Sequence, residues 1–216
     1  MRPPRPRYVH TWDVDTVLDF LRNWFPLQTL SIKELTLKSI ALVALTSGSR
    51  AQSLHLMDIN RMVEREDSLL FYFDKTLKSS KAGLPHHLIE IRKFNESNCC
   101  VFQTVKEYLS RTETLRTSSE LWISHKKPFK AISSQTISRW LKDILKAAGI
   151  DIEKFSGHSF RMASTSKANQ LGVGLHTILK TAGWSKDTNF KKFYLRETED
   201  VGDRERFAEA ILATRN

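Results

Sequence analysis

From Ile32 to Thr46 the apolar positions Leu35, Leu37, Ile40, Ala41, Val43, Ala44 and Leu45 follow a helical period so densely that they predict a strongly buried helix, ending at Gly48. Upstream, Val14, Val17, Leu18 and Leu21 share one face of a shorter helix within Trp12 to Trp24, with Thr11 as its cap and Pro26 as its stop. Ser49 is placed to cap a further helix that carries Arg50. The period then changes. Leu69 to Phe73 is an apolar run rich in aromatics, and Leu88 to Lys93 alternates apolar with polar residues, so each reads as a strand. The stretch between them, with Lys75, Lys78, Lys81 and Gly83, becomes a hairpin loop. After Cys100 the helical period returns over Val101 to Leu109. It returns again through Ile137, Trp140, Leu141, Ile144, Leu145 and Ala148, with Ser134 as cap and Gly149 as end. Short helices follow near Phe160 to Leu171, Leu175 to Ala182 and Thr188 to Arg196, with a last one over Asp203 to Thr214. The pattern predicts an α+β, mainly α fold with a small antiparallel sheet, without internal repeats or low-complexity tracts.

Composition narrows the class. With 40% hydrophobic and 27% charged residues among 216, the chain can bury a full core. No apolar run approaches the roughly 20 residues that span a bilayer, so no membrane partner is expected. Met1 to Arg7 carries arginines and prolines with no apolar stretch behind it, which reads as neither secretory signal nor transit helix and makes a reducing compartment the expectation. The two cysteines, Cys99 and Cys100, are neighbours, a placement that suits buried thiols better than a disulfide or a metal site. Lysine and arginine number 34 against 24 acids, a net charge of +10. That favours a polyanion, DNA or RNA, and is equally compatible with an unspecialised basic surface.

Five short features carry candidate chemistry: TSGSR ending at Arg50, the lysine-bearing hairpin, GHSFR at 157 to 161, GWS at 183 to 185, and FKKFY ending at Tyr194. Each alone is commonplace. A histidine or arginine near a helix start is usually a cap or a surface ion pair, Trp184 after a glycine would usually be core, and a tyrosine between phenylalanines usually rims an apolar face. Their order is more specific. Helix, arginine, hairpin with lysine, helices, HxxR, GW and tyrosine resembles the tyrosine recombinase (phage integrase) family over about residues 35 to 198. In wording, GWS and FKKFY resemble the recombinases of DIRS-type retrotransposons and Crypton transposons.

The resemblance implies a recombinase catalytic domain over 35–198, preceded by a basic segment with a short helix over 1–34 and followed by a helical tail over 199–216. It implies double-stranded DNA as substrate and cleavage and rejoining through a 3'-phosphotyrosine at Tyr194, with neither ATP nor a metal cofactor. Arg50, His158, Arg161 and Trp184 match the family's positions, and Lys78 is preferred over Lys75 and Lys81 for the hairpin lysine. An acidic residue often stands three positions after the first arginine in the family; here it is Ser53. The separate N-terminal helical domain of the family is not recognisable in 1–34. A nuclear location follows only from the likeness to mobile elements.

The chemistry explains why such residues would converge. A phosphodiester attacked by a phenolate gathers negative charge on its non-bridging oxygens, which two guanidiniums, Arg50 and Arg161, can clamp without losing their protons. A phenol with an ordinary pKa of about 10 needs a proton acceptor near neutrality, and His158 suits that role. Trp184 offers only an indole N–H, which can hold a phosphate oxygen but cannot titrate. In the family the hairpin lysine protonates the leaving 5'-oxygen. The helix before HxxR offers Gln135, Ser138, Arg139 and Lys142 on a polar face that either enters the DNA major groove or is merely solvated. Lys75 and Lys81 suit backbone phosphates. The tail over 203–214, with Phe207, Ala208, Ile211 and Leu212 on one face, either docks on a neighbouring protomer, giving a dimer or tetramer on DNA, or packs on its own domain. His55 and His176 read as structural or surface histidines.

Three rival readings stand beside this one: a type IB topoisomerase, a domesticated DNA-binding protein that no longer cuts, and a metal-dependent nuclease using Asp13, Asp15 or Asp58. The acids show no spacing tied to a two-metal site.

Overall fold

A computed structural model describes residues 10–73 and 88–184. Tyr194, Lys75, Lys78, Lys81 and the expected helices over 188–196 and 203–214 lie outside the described residues. Those described form seven α-helices and a three-stranded antiparallel sheet, so the chain is mainly helical, as its pattern requires.

The central element is α2 (Ile32–Ser47), which packs against four other helices and against the sheet. Twelve of its 16 residues are buried, which accounts for apolar positions all round its circumference. A capping box starts it: the Ser31 hydroxyl accepts from the Glu34 N–H, and the Glu34 carboxylate accepts from the Ser31 N–H at 2.8 Å. Gly48, left-handed at φ 58°, ends it. Buried hydroxyls on this helix would strand polar atoms, and they avoid this by donating one turn back, Ser39 to Leu35 and Ser47 to Val43. The fully buried Lys38 is satisfied by the carbonyls of Trp24 and Asn98, at 2.5 and 2.7 Å.

Helix α1 (Val14–Arg22) is shorter than expected, because Asp13 rather than Thr11 is its cap; the Asp13 carboxylate accepts from the Asp15 N–H. Its Val14, Val17 and Leu21, together with Trp12 just before it, belong to the same apolar core as α2. In α3 (Ala51–His55) the cap position falls on Arg50 itself, so Ser49 is not the cap; the Ser49 N–H instead turns back to the Ser47 hydroxyl at 3.2 Å.

Strands β1 (Met62–Arg65), β2 (Ser68–Tyr72) and β3 (Leu88–Arg92) lie in chain order. β1 escapes the sequence reading, because its residues MVER are largely exposed and show no apolar alternation. Between β2 and β3 the expected pairing holds, from Ser68 opposite Arg92 to Tyr72 opposite Leu88.

Helices α4 (Val101–Thr112), α5 (Ser134–Ala147) and α6 (Ser159–Gln170) pack around α2, and α7 (Leu175–Ala182) packs on α6. The cap of α5 is Ser133, one residue before the expected Ser134, its hydroxyl accepting from the Thr136 N–H; Gly149, left-handed at φ 83°, ends the helix as expected, just after Ala148. Both cysteines are free thiols, Cys100 buried and Cys99 half-buried, and burial pushes the Cys99 thiol above its ordinary range.

Candidate active site

Arg161 joins three distant stretches of chain. It is 3% exposed, and its Nη1 donates to the Gly48 carbonyl at 2.6 Å and to the Ala182 carbonyl. The first bond reaches the turn that ends α2, and the second reaches the end of α7. Both carbonyls are available because their helices stop there: Gly48 and Gly183 adopt φ 58° and 69°, left-handed values that terminate a helix and suit glycine. The three elements also touch directly. A Cβ added to Gly48 would stand 3.1 Å from the Ala182 Cβ and 3.2 Å from the Thr165 Cγ2 of α6.

Arg50 lies two residues beyond the Gly48 anchor, exposed at the start of α3. His158 is exposed as well, one residue before α6, and no side-chain bond from it caps that helix. Arg161 lies three residues further, inside the first turn and beneath the surface. Trp184 follows the α7 terminus, where its backbone N–H donates to the Leu179 carbonyl at 2.8 Å. Its half-buried indole lies against the guanidinium of Arg161, with the Cζ 3.6 Å from the ring centroid. That stacking was missed from the sequence, which offers Trp184 only as a hydrogen-bond donor. Ser53 is buried in α3.

The proposed DNA-contact residues of α5 form one stripe, exposed at Gln135 and Arg139 and half-buried at Ser138 and Lys142. One edge abuts the site, for a Cβ added to Gly157 would come within 2.2 Å of the Ser138 carbonyl oxygen. The other edge borders a cavity of about 680 Å³, where Arg139 is joined by Lys33, Lys126, Lys130, His125 and Asp143. Burial, and after it the charges of Lys33 and Lys126, push the His125 imidazole below its ordinary range. The run HKKPFK at 125–130 was the available sequence signal for this basic groove; the contribution of Lys33, nearly a hundred residues away, carried none.

The remaining candidates, His176 apart, have structural duties. His55 Nδ1 lies 2.9 Å from the Ile132 carbonyl, and His176 is exposed. Asp13 caps α1, Asp15 pairs with Lys167, and Asp58 accepts from the Asn60 N–H and the Ser119 hydroxyl.

A family model described as the phage integrase family matches residues 9–200. The chain belongs to the phage integrase family, the tyrosine recombinases. Solved structures similar to this family member include XerA recombinase, 14% identical, with a TM-score of 0.66 over 100% of this chain and 68% of that one. XerH site-specific recombinase, bound to its difH substrate in a pre-cleavage complex, is 13% identical with a TM-score of 0.63, covering 97% and 56%. A lambda integrase fragment, crystallised as a dimer bound to a COC' core site, is 17% identical with a TM-score of 0.56, covering 93% and 64%. At these identities the likeness is one of fold. The chain spans only 56% of the XerH chain and 64% of the lambda integrase chain. No curated protein matches the chain.

Proposed function

We propose that this chain is the catalytic domain of a site-specific DNA recombinase that cleaves and rejoins strands through a 3'-phosphotyrosine at Tyr194. Family membership supports the class of reaction. The observation that carries the residue assignment is the anchoring of Arg161 to the carbonyls of Gly48 and Ala182. It draws the Arg50 turn, the HxxR helix and the GW terminus to one place, where a single phosphate meets all three.

In this reading Arg50 is the exposed arm of the phosphate clamp and Arg161 the buried arm. Its two carbonyl anchors hold that guanidinium ready before DNA arrives, so little reorganisation accompanies the reaction. Trp184 covers the face of Arg161, so a phosphate oxygen approaches the guanidinium at its edge or displaces the indole. Attack forms a bond between the Tyr194 oxygen and phosphorus and breaks the bond from phosphorus to the 5'-oxygen. The phenol proton passes to His158, and the leaving oxygen takes its proton from Lys78 or from its neighbours Lys75 and Lys81. The exposed stripe on α5 and the groove of Lys33, Lys126 and Lys130 then track the duplex backbone on either side. Dimers or tetramers on DNA, joined through the C-terminal tail, complete the proposal, as does its place in a mobile element.

The test is a pool of end-labelled nicked duplexes of randomised sequence, incubated with the native chain and with Tyr194→Phe and resolved on a denaturing gel. A covalent protein–DNA adduct from the native chain alone is expected, insensitive to chelator. Tight DNA binding without any adduct would identify a protein that no longer cuts, and supercoil relaxation without strand exchange would identify a topoisomerase.

A further inference from the structure

We propose that Trp12 is a positioning residue for the cleavage reaction, setting through α6 where His158 and Arg161 stand. The kinetic part of this inference rests on the cleavage reading above; the physical part does not.

The first turn of α6 needs outside help. Helix N-termini leave backbone donors unsatisfied, and the residue in the cap position, His158, makes no side-chain cap bond. Ser159, fully buried, instead ties that turn to the loop before it, its backbone N–H and its hydroxyl both donating to the Ser156 carbonyl, at 2.8 and 2.7 Å. A hydroxyl so engaged still rotates about its acceptor. The Trp12 indole N–H removes that freedom, donating to the Ser159 Oγ at 2.8 Å across 147 residues of sequence. Trp12 is itself 4% exposed, and its ring meets the Phe160 ring edge-on, with centroids 5.1 Å apart at 69°. Two consecutive residues of α6, lying between His158 and Arg161, are thus held by one side chain from the segment leading into α1.

Further along the same pair of helices, Lys167 of α6 pairs with Asp15 of α1. That pair is half in water and contributes little energy, yet it fixes the same relative placement. A rival explanation makes Trp12 ordinary core, whose loss lowers stability everywhere and displaces nothing in particular. The two differ in where the effect is felt. A displacement of about 1 Å in a catalytic group is enough to cost up to about 100-fold in rate, whereas a uniform loss of stability leaves a still-folded enzyme at nearly its original rate.

Trp12→Phe keeps an aromatic ring against Phe160 while removing the N–H donor together with part of the indole's volume, so the full chain should still fold at some cost in stability. Ser159→Ala removes the acceptor, and the pair makes a double-mutant cycle. Amide hydrogen exchange followed by mass spectrometry, without DNA, should show residues 159–163 exchanging about tenfold faster in Trp12→Phe while α4 is unchanged. With a duplex drawn from the adduct-forming pool, adduct formation should fall about tenfold and the dissociation constant should stay within about twofold. The double variant should be no slower than the slower single one. Unchanged exchange in α6, or equal acceleration in α4 and α6, would overturn the proposal. So would adduct formation at the native rate. If the native chain forms no adduct, the cleavage reading fails by itself, and the exchange experiment still decides whether Trp12 holds α6.

Discussion

A methyl group added at Gly157 would have nowhere to go: its Cβ would stand 2.2 Å from the Ser138 carbonyl oxygen and 3.0 Å from the Ser138 Oγ. Backbone cannot yield as a flexible side-chain tip does, so α5 and the start of α6 must separate. Gly157→Ala is therefore expected to lose about 1–3 kcal/mol, the usual cost of overpacking a close contact, measured by urea unfolding. Because His158 is the next residue, adduct formation should fall by more than that stability loss explains, and a variant with native stability and native rate would refute the close approach. The glycine of GHSFR is legible in sequence as part of a family motif. Its physical reason, a helix backbone pressed against it from nineteen residues upstream, is not.

Elements place these residues, and α2 is the one on which the rest depends. Its capping box holds the Glu34 carboxyl below its ordinary range, chiefly through the Ser31 hydroxyl and then through the Ser31 backbone N–H. A carboxyl lowered in the folded state contributes stability above its unfolded pKa, about 4.3, and loses it as pH falls through the folded value. Ser31→Ala should cost about 1 kcal/mol at neutral pH, typical of a lost N-cap. The gap from the native chain should narrow below about pH 4; thermal melts at several pH values would record it, and a gap independent of pH would contradict the carboxylate's part in the cap. The other elements teach how caps are misread. Thr11, Ser49 and Ser134 all have the right chemistry, yet Asp13, Arg50 and Ser133 occupy the cap positions. A cap is decided by which residue leaves helical geometry, and several adjacent polar residues satisfy the composition equally well.

Over the whole molecule the formal charge is +10, and only the fold shows where some of it collects. Arg139, exposed on α5, faces the groove with Lys33, Lys126 and Lys130. If this groove follows a duplex backbone, Arg139→Ala should weaken binding to unrelated duplexes to a similar extent and reduce the slope of log affinity against log salt by about 0.9. Fluorescence anisotropy across a salt series gives both quantities. An unchanged slope would leave this face of α5 solvated rather than bound. Among the described residues, periodicity by itself determined the longer helices, the β2–β3 pairing and the burial of α2, because an element's apolar face is written in its own residues. The order of the short motifs determined the family. The tertiary structure alone decided that Arg161 rests on the Gly48 and Ala182 carbonyls, that Trp184 lies over its guanidinium, and that Trp12 reaches Ser159. These contacts join residues 21 to 147 positions apart, or turn on a side chain's direction. Local pattern carries no record of either, because both are set by how helices cross once their apolar faces have met.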